Sequence, residues 1–206
     1  MQMKHTSIAL FFLLVFSSLI AQQTQPADRQ CSLLRELIFQ MKKENFEIMT
    51  DGPSRQSSGQ DQGGNWTFRQ QKFTILEPWQ WQGAASTILE NGFDKRPGEE
   101  TNRWQYIAFF NPETSGQAAL EQLENIAGQF DQCLLPQNDS VFIHLQKVKK
   151  EEMEEWLPDN YLEAYVYRLP ELSKPETQMT MMVALERLRR GFRPVLILEW
   201  LHMKKT

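Results

Sequence analysis

Proton transfer and zinc chemistry near neutral pH fall most readily to histidine, and this chain offers three: His5, His144 and His202. A catalytic zinc usually takes three protein ligands, and no His-Glu-x-x-His helix is present, so neither a metal nor any other cofactor is assigned. His144 alternates with Phe142 and reads as a sheet histidine; set against a distant carboxylate, it would instead be the base of a small secreted hydrolase. His202, beside Lys204 and Lys205, reads as a surface group. No Gly-x-Ser-x-Gly elbow presents a serine nucleophile, and Gly63-Gly64 lacks the Lys-Ser or Lys-Thr of a phosphate-cradling loop. The carboxylates Glu151, Glu152, Glu154 and Glu155 follow Lys149 and Lys150 and read as a solvated helix face with local ion pairs. Catalysis therefore has no assigned residue, and the enzyme reading is the weaker of the two.

Binding has better material. The chain carries six tryptophans, at 66, 79, 81, 104, 156 and 200, and tryptophan joins a large apolar face to a polar handle, as interfaces require. In extended backbone, residues two apart point to the same side, so Trp79 and Trp81 in Pro78-Trp79-Gln80-Trp81 would present two indoles about 7 Å apart. They are the candidate contact site for a protein or glycan partner; the competing reading is that they cover the core. Asn65-Trp66-Thr67 and Asn138-Asp139-Ser140 fit the glycan-acceptor pattern.

The compartment is read from the amino terminus. Lys4 and His5 precede an apolar run, Ile8 to Ile20, closed by Ala21. The run is shorter than the roughly 20 residues of a membrane-spanning helix and has the flanks of an export signal. Residues 1–21 are thus expected to be a signal peptide cleaved after Ala21, with an uncleaved anchor the alternative. The product is expected to be secreted or periplasmic, with no membrane span after signal removal. In an oxidising compartment an even cysteine count favours pairing, so Cys31 and Cys133 are expected to form a disulfide.

Across its 206 residues the chain has 22 Lys plus Arg against 26 Asp plus Glu, a formal charge of −4, with 41% hydrophobic and 23% charged residues. That is too apolar for an intrinsically disordered chain. The acidic balance, with no basic arm, argues against nucleic acid as a partner.

The elements that would position these residues follow from periodicity. Leu33, Leu34, Leu37, Ile38 and Met41 recur at helical spacing and predict a helix from Asp28 to about Ile48. The Gly-, Ser- and Gln-rich stretch 51–64 predicts a flexible loop. Trp66, Phe68, Phe73 and Ile75 predict one strand or two short ones within Asn65–Glu77; Pro78 to Arg103 has no assignment. A buried strand is expected at Trp104–Phe110. Asn111-Pro112 then starts a second helix, with Ala119, Leu123, Ile126 and Phe130 in its stripe and Pro136 stopping it. Strand-like alternation follows at 141–146 and 161–169, a short charged helix lies between them, and 178–188 and 195–203 resemble a hairpin, with a helix at 178–190 as the rival. A bond between Cys31, near the start of one helix, and Cys133, near the end of the other, requires antiparallel helices, because the Cα atoms of a disulfide lie within about 7 Å. No internal repeat is visible. The expected fold is α+β: a mostly antiparallel sheet of about six strands covered by two long antiparallel helices, forming a single domain over 22–206.

Overall fold

Helix α1 runs from Pro26 to Lys42. Proline at the first helical position sacrifices no needed donor, and Cys31, Leu34, Leu37, Ile38 and Met41 form one buried stripe. Lys42 meets the negative end of the helix dipole, and Glu44, at φ 55°, takes the left-handed turn that ends it. A 3-10 turn, Phe46–Met49, then drops Phe46 and Met49 into the core. The computed structural model describes residues 26–60, 66–131, 133–136, 142–147, 161–169 and 176–205. The expected signal peptide, the sequon asparagines Asn65 and Asn138, and the charged helix expected near Lys149–Trp156 lie outside the described residues.

The strands are β1 (Thr50–Gln60), β2 (Thr67–Ile75), β3 (Ser86–Arg96), β4 (Glu99–Phe109), β5 (Leu134–Pro136), β6 (Phe142–His144), β7 (Gln146–Lys147), β8 (Tyr161–Arg168), β9 (Thr177–Leu188) and β10 (Gly191–Lys205), with helix α2 (Gly116–Gly128) between β4 and β5. Eight of them form one antiparallel sheet in the order β1-β2-β3-β4-β10-β9-β8-β7, and β5 pairs with β6 apart from it. The chain therefore repeats itself in topology: a helix followed by a meander, twice. The last strands of the two meanders, β4 and β10, pair at the centre of the sheet over eleven residues, from Val195 opposite Phe109 to Lys205 opposite Glu99.

This corrects the expected architecture. The sheet has eight strands rather than about six and dominates the fold, while the helices are short, 17 and 13 residues. Helix α2 starts later than Asn111-Pro112 suggests, because the side chain of Ser115, not of Asn111, caps it by accepting the Ala118 N–H. Glu113 instead exchanges two backbone hydrogen bonds with Phe192, which keeps that stretch extended. The stretch read as a flexible loop at 51–64 contributes strand β1 through Gln60; composition denied it a core side chain, but backbone pairing with β2 needs none. Residues 178–190 are strand and hairpin rather than helix.

Both helices serve one face of the sheet. Row by row across the register, that face carries Phe73, Leu89, Tyr106, Leu198, Met181 and Tyr167, then Thr87, Ala108, Leu196, Val183 and Tyr165. Phe46 stacks on Trp104 at 3.9 Å between ring centres and meets Trp200 edge-on at 6.4 Å. Tyr106 donates its hydroxyl to the Trp79 carbonyl at 2.7 Å, and Tyr167 donates to the Ala127 carbonyl at 3.3 Å, tying the sheet to the loop before β3 and to α2. Burial pushes both phenols above the ordinary tyrosine value. The disulfide joins Cys31 to Cys133 with 5.5 Å between Cα atoms, and both residues are buried.

Candidate binding groove

The opposite face of the sheet follows from the same alternation read one residue over. The row Ile88, Ile107, Ile197, Met182, Val166 is apolar. Two residues along each strand comes Lys72, Glu90, Gln105, Glu199, Thr180, then Gln70, Gly92, Arg103, Leu201, then Phe68, Asp94, Thr101, Met203. The face thus grades from an apolar half to a polar half. On the polar half lies a groove of about 500 Å³, lined by residues that include Trp66, Phe68, Gly92, Asp94, Arg103 and Gln105.

Each feature of the groove has a local cause. Its end follows from the β3–β4 hairpin, where Pro97 and then Gly98, at φ 80°, supply the two conformations of a type II turn. Its floor is open at Gly92; a Cβ there would stand 3.8 Å from the Arg103 guanidinium, so the arginine lies across backbone rather than across a side chain. Its wall is aromatic. Phe68 lies over Gly59 of the neighbouring strand, where any side chain would collide with the ring, and Trp66 stacks on Phe68 with 5.1 Å between centres. Trp66 donates its indole N–H to Asp94 Oδ1 at 2.6 Å, and Arg96 grips the same carboxylate, its Nη2 lying 2.9 Å from Oδ2.

The polar side chains are fixed by one another. Lys72 pairs with Glu90 at 2.5 Å, Gln70 donates to the same carboxylate at 3.3 Å, and Gln105 donates to Glu199 at 2.6 Å. Among the described residues no carboxylate forms an ion pair with Arg103, whose side chain is exposed. Beneath this row, buried Asn91 donates to Asn102 Oδ1 at 2.7 Å and to the Arg103 carbonyl at 3.3 Å, anchoring the Arg103 backbone from the helix-covered side.

The residues singled out from sequence are placed elsewhere. Trp79 ends a 3-10 turn, Glu77–Trp79, instead of lying in extended backbone, and it is half-buried against the core. Trp81 is 2% exposed, tilted against Phe130 at 5.5 Å, with its indole N–H unpartnered. The two indoles therefore do not form the paired surface expected of them. His144 lies on β6 opposite Leu134, and its side chain is outside the described residues. His202 faces the helix-covered side at the sheet's end, 3.2 Å from the Thr177 hydroxyl through Nδ1. The described residues contain no group of three His, Cys, Asp or Glu placed to hold a metal ion, and no helix among them is long and apolar enough to cross a membrane. Sequence reasoning missed the groove because Asn91-Gly92 reads as a turn; Trp66 and Phe68 were visible as strand residues, without the strand beside them. Comparison with known proteins adds nothing to this geometry: no family model, no curated protein and no solved structure matches the chain.

Proposed function

We propose that this chain is a non-enzymatic binding module of an oxidising compartment, secreted or periplasmic, whose contact surface is the groove on the face of the sheet opposite α1 and α2. The observation that carries the reading is the state of the groove's polar groups: Asp94, Glu90 and Gln105 are already held by Trp66, Arg96, Lys72 and Glu199. Side chains fixed before a ligand arrives lose little freedom on binding, which is how a surface gains affinity without burying new core. The buried disulfide and the leader-like amino terminus support the compartment.

The reading is tested by export and by a groove-filling variant together. Intact mass after secretion, with and without alkylation, is expected to show loss of 21 leader residues and no alkylatable thiol before reduction. Ligands retained from the surrounding medium by the immobilised chain are expected to be lost from Gly92→Leu, which fills the floor from a strand position where leucine is tolerated. Equal retention by both chains refutes the groove as the contact surface, and a cytosolic chain with free thiols refutes the compartment.

A further inference from the structure

We infer that the groove takes an uncharged saccharide chain, with a sugar ring set beside the Arg103 guanidinium and its apolar C–H face against Trp66 and Phe68. The inference rests on the binding reading above and adds the ligand's chemistry.

Charge is the first argument. Asp94 is matched by Arg96 and Glu90 by Lys72, both within ion-pair distance. Arg103 is exposed beside Glu90 of the neighbouring row, and Glu99 lines the same cavity. A polyanion would meet three carboxylates here and a polycation two arginines, Arg96 and Arg103, so neither finds the single-signed surface that steers ionic ligands.

Hydrogen-bonding capacity is the second. Carboxylates only accept and guanidinium groups only donate, while a hydroxyl does both. Across the groove both kinds are mixed: Lys72 donates, Glu90 accepts and Gln105 does both in one row, while Gln70 and Arg103 flank Gly92 in the next. Strands lie about 4.8 Å apart, so donors and acceptors on adjacent strands are spread over the width of a sugar ring. An extended peptide also donates and accepts, but it does so along a sheet edge; on a sheet face it needs pockets for alternate side chains. Here the side chains are locked together, and Gly92, crossed by Arg103, leaves no pocket of that kind.

Shape is the third. Trp66 and Phe68 are stacked on each other and so offer a flat apolar wall beside polar groups. That combination suits a ring that is polar at its rim and apolar on its C–H faces. The cavity, at about 500 Å³, has room for a ligand of a few rings.

The experiment is isothermal titration calorimetry on the full chain with cellohexaose, maltohexaose and chitohexaose, alongside a heparin hexasaccharide and an extended-peptide library. At least one neutral hexasaccharide is expected to bind. Gly92→Leu and Arg103→Ala are each expected to weaken it about tenfold or more, and Trp79→Phe, outside the groove, to leave it unchanged. Near-UV circular dichroism checks that each variant keeps the native packing. If none of the three neutral saccharides binds while heparin or a peptide does, and Gly92→Leu abolishes that binding, the saccharide inference falls and the groove reading stands. If any ligand binds equally to wild type and Gly92→Leu, the groove reading falls with it. Failure of every probe overturns the saccharide inference.

Discussion

Replacing both cysteines, Cys31→Ala with Cys133→Ala, removes the one covalent tie between the amino-terminal helix and the segment after α2. The bond closes 102 residues of sequence, and in the chain-entropy description a loop of that size restrains the unfolded chain by about 4.7 kcal/mol at 25 °C. Little is expected to be lost from the folded side. Both sulfurs are buried, Cys133 at 1% and Cys31 at 7%, and alanine leaves only a small gap where each sulfur sat. The net expectation is a loss of about 3 to 5 kcal/mol, a third or more of the stability of an ordinary domain. Guanidinium unfolding followed by tryptophan fluorescence reads it directly. The midpoint should fall, the slope should rise because the uncrosslinked chain exposes more surface, and the melting temperature should drop by roughly 6 to 20 °C for a chain of this length. A loss below about 1 kcal/mol would refute the reasoning. It would mean that the unfolded chain is not freed by the cut, or that the two halves of the sheet hold each other without it.

Other perturbations test the packing point by point. Gly191 sits at φ 105°, and a Cβ there would run into the Glu113 carbonyl. Gly191→Ala is therefore expected to cost about 2 to 4 kcal/mol in the same unfolding assay, well above the usual strand glycine. Tyr106→Phe strips the hydroxyl from a 2.7 Å bond to the Trp79 carbonyl and should cost about 1 to 2 kcal/mol, leaving a half-buried acceptor without this partner. Tyr106 and Tyr167 both have folded-state values raised by burial. The folded chain therefore holds their protons longer than the unfolded chain does, so their contribution to stability is complete below about pH 10 and falls as pH rises further. Phenolate absorbance should show Tyr106 and Tyr167 titrating late, coincident with alkaline unfolding; three or more of the four tyrosines titrating near the ordinary value in the native state would contradict that burial. Gly59→Val should unseat the Phe68 ring, loosening the groove wall and shifting the near-UV signal of Trp66 while the core remains intact.

Much of the second meander was legible. The alternation at 178–188 and 195–203 is carried by Met179, Met181, Val183 and Leu185 and by Leu196, Leu198 and Trp200, and the structure pairs them as the β9–β10 hairpin. The disulfide was legible too, from the leader-like amino terminus and an even cysteine count together. What failed was anything decided by neighbours remote in sequence. Asn91-Gly92 has the composition of a turn, yet it runs through the middle of β3, since Asn91 finds its partners on β4 and Gly92 makes room for Arg103. Residues 51–60 lack every β-favouring side chain and become a strand only because β2 supplies the other half of each hydrogen bond. The two-helix architecture was overread because the apolar stripe of the first helix continues past Lys42 into Phe46 and Met49, which reach the core from a 3-10 turn instead. The repeated helix-and-meander topology leaves no trace in residue identity: α1 buries Leu34, Leu37 and Met41 where α2 buries Ala119, Leu123 and Ile126.

The groove itself follows from how much covering the two helices can provide. Eight strands about 4.8 Å apart span about 34 Å. Helices of 17 and 13 residues are about 25 and 20 Å long, enough to roof one face and no more. The opposite face must then answer to different physics along its length. Where the rows are isoleucine, valine and alanine, its residues are themselves buried, with Ile197 at 7% and Ala184 at 0%. Where the rows turn to lysine, glutamate, glutamine and arginine, cross-strand pairs satisfy one another beside open solvent. Because alternate residues point to opposite faces, Asn91 and Trp104 can stabilise the core while Gly92 and Arg103, one position on or back, remain free to vary with the ligand. On the proposed reading, such a fold can change its ligand by exchanging the row Gln70, Gly92, Arg103 and Leu201 without altering a side chain that the helices touch. Exchanging Arg103 for glutamate should accordingly alter ligand charge preference while moving the unfolding midpoint by no more than an ordinary surface substitution, within about 0.5 kcal/mol.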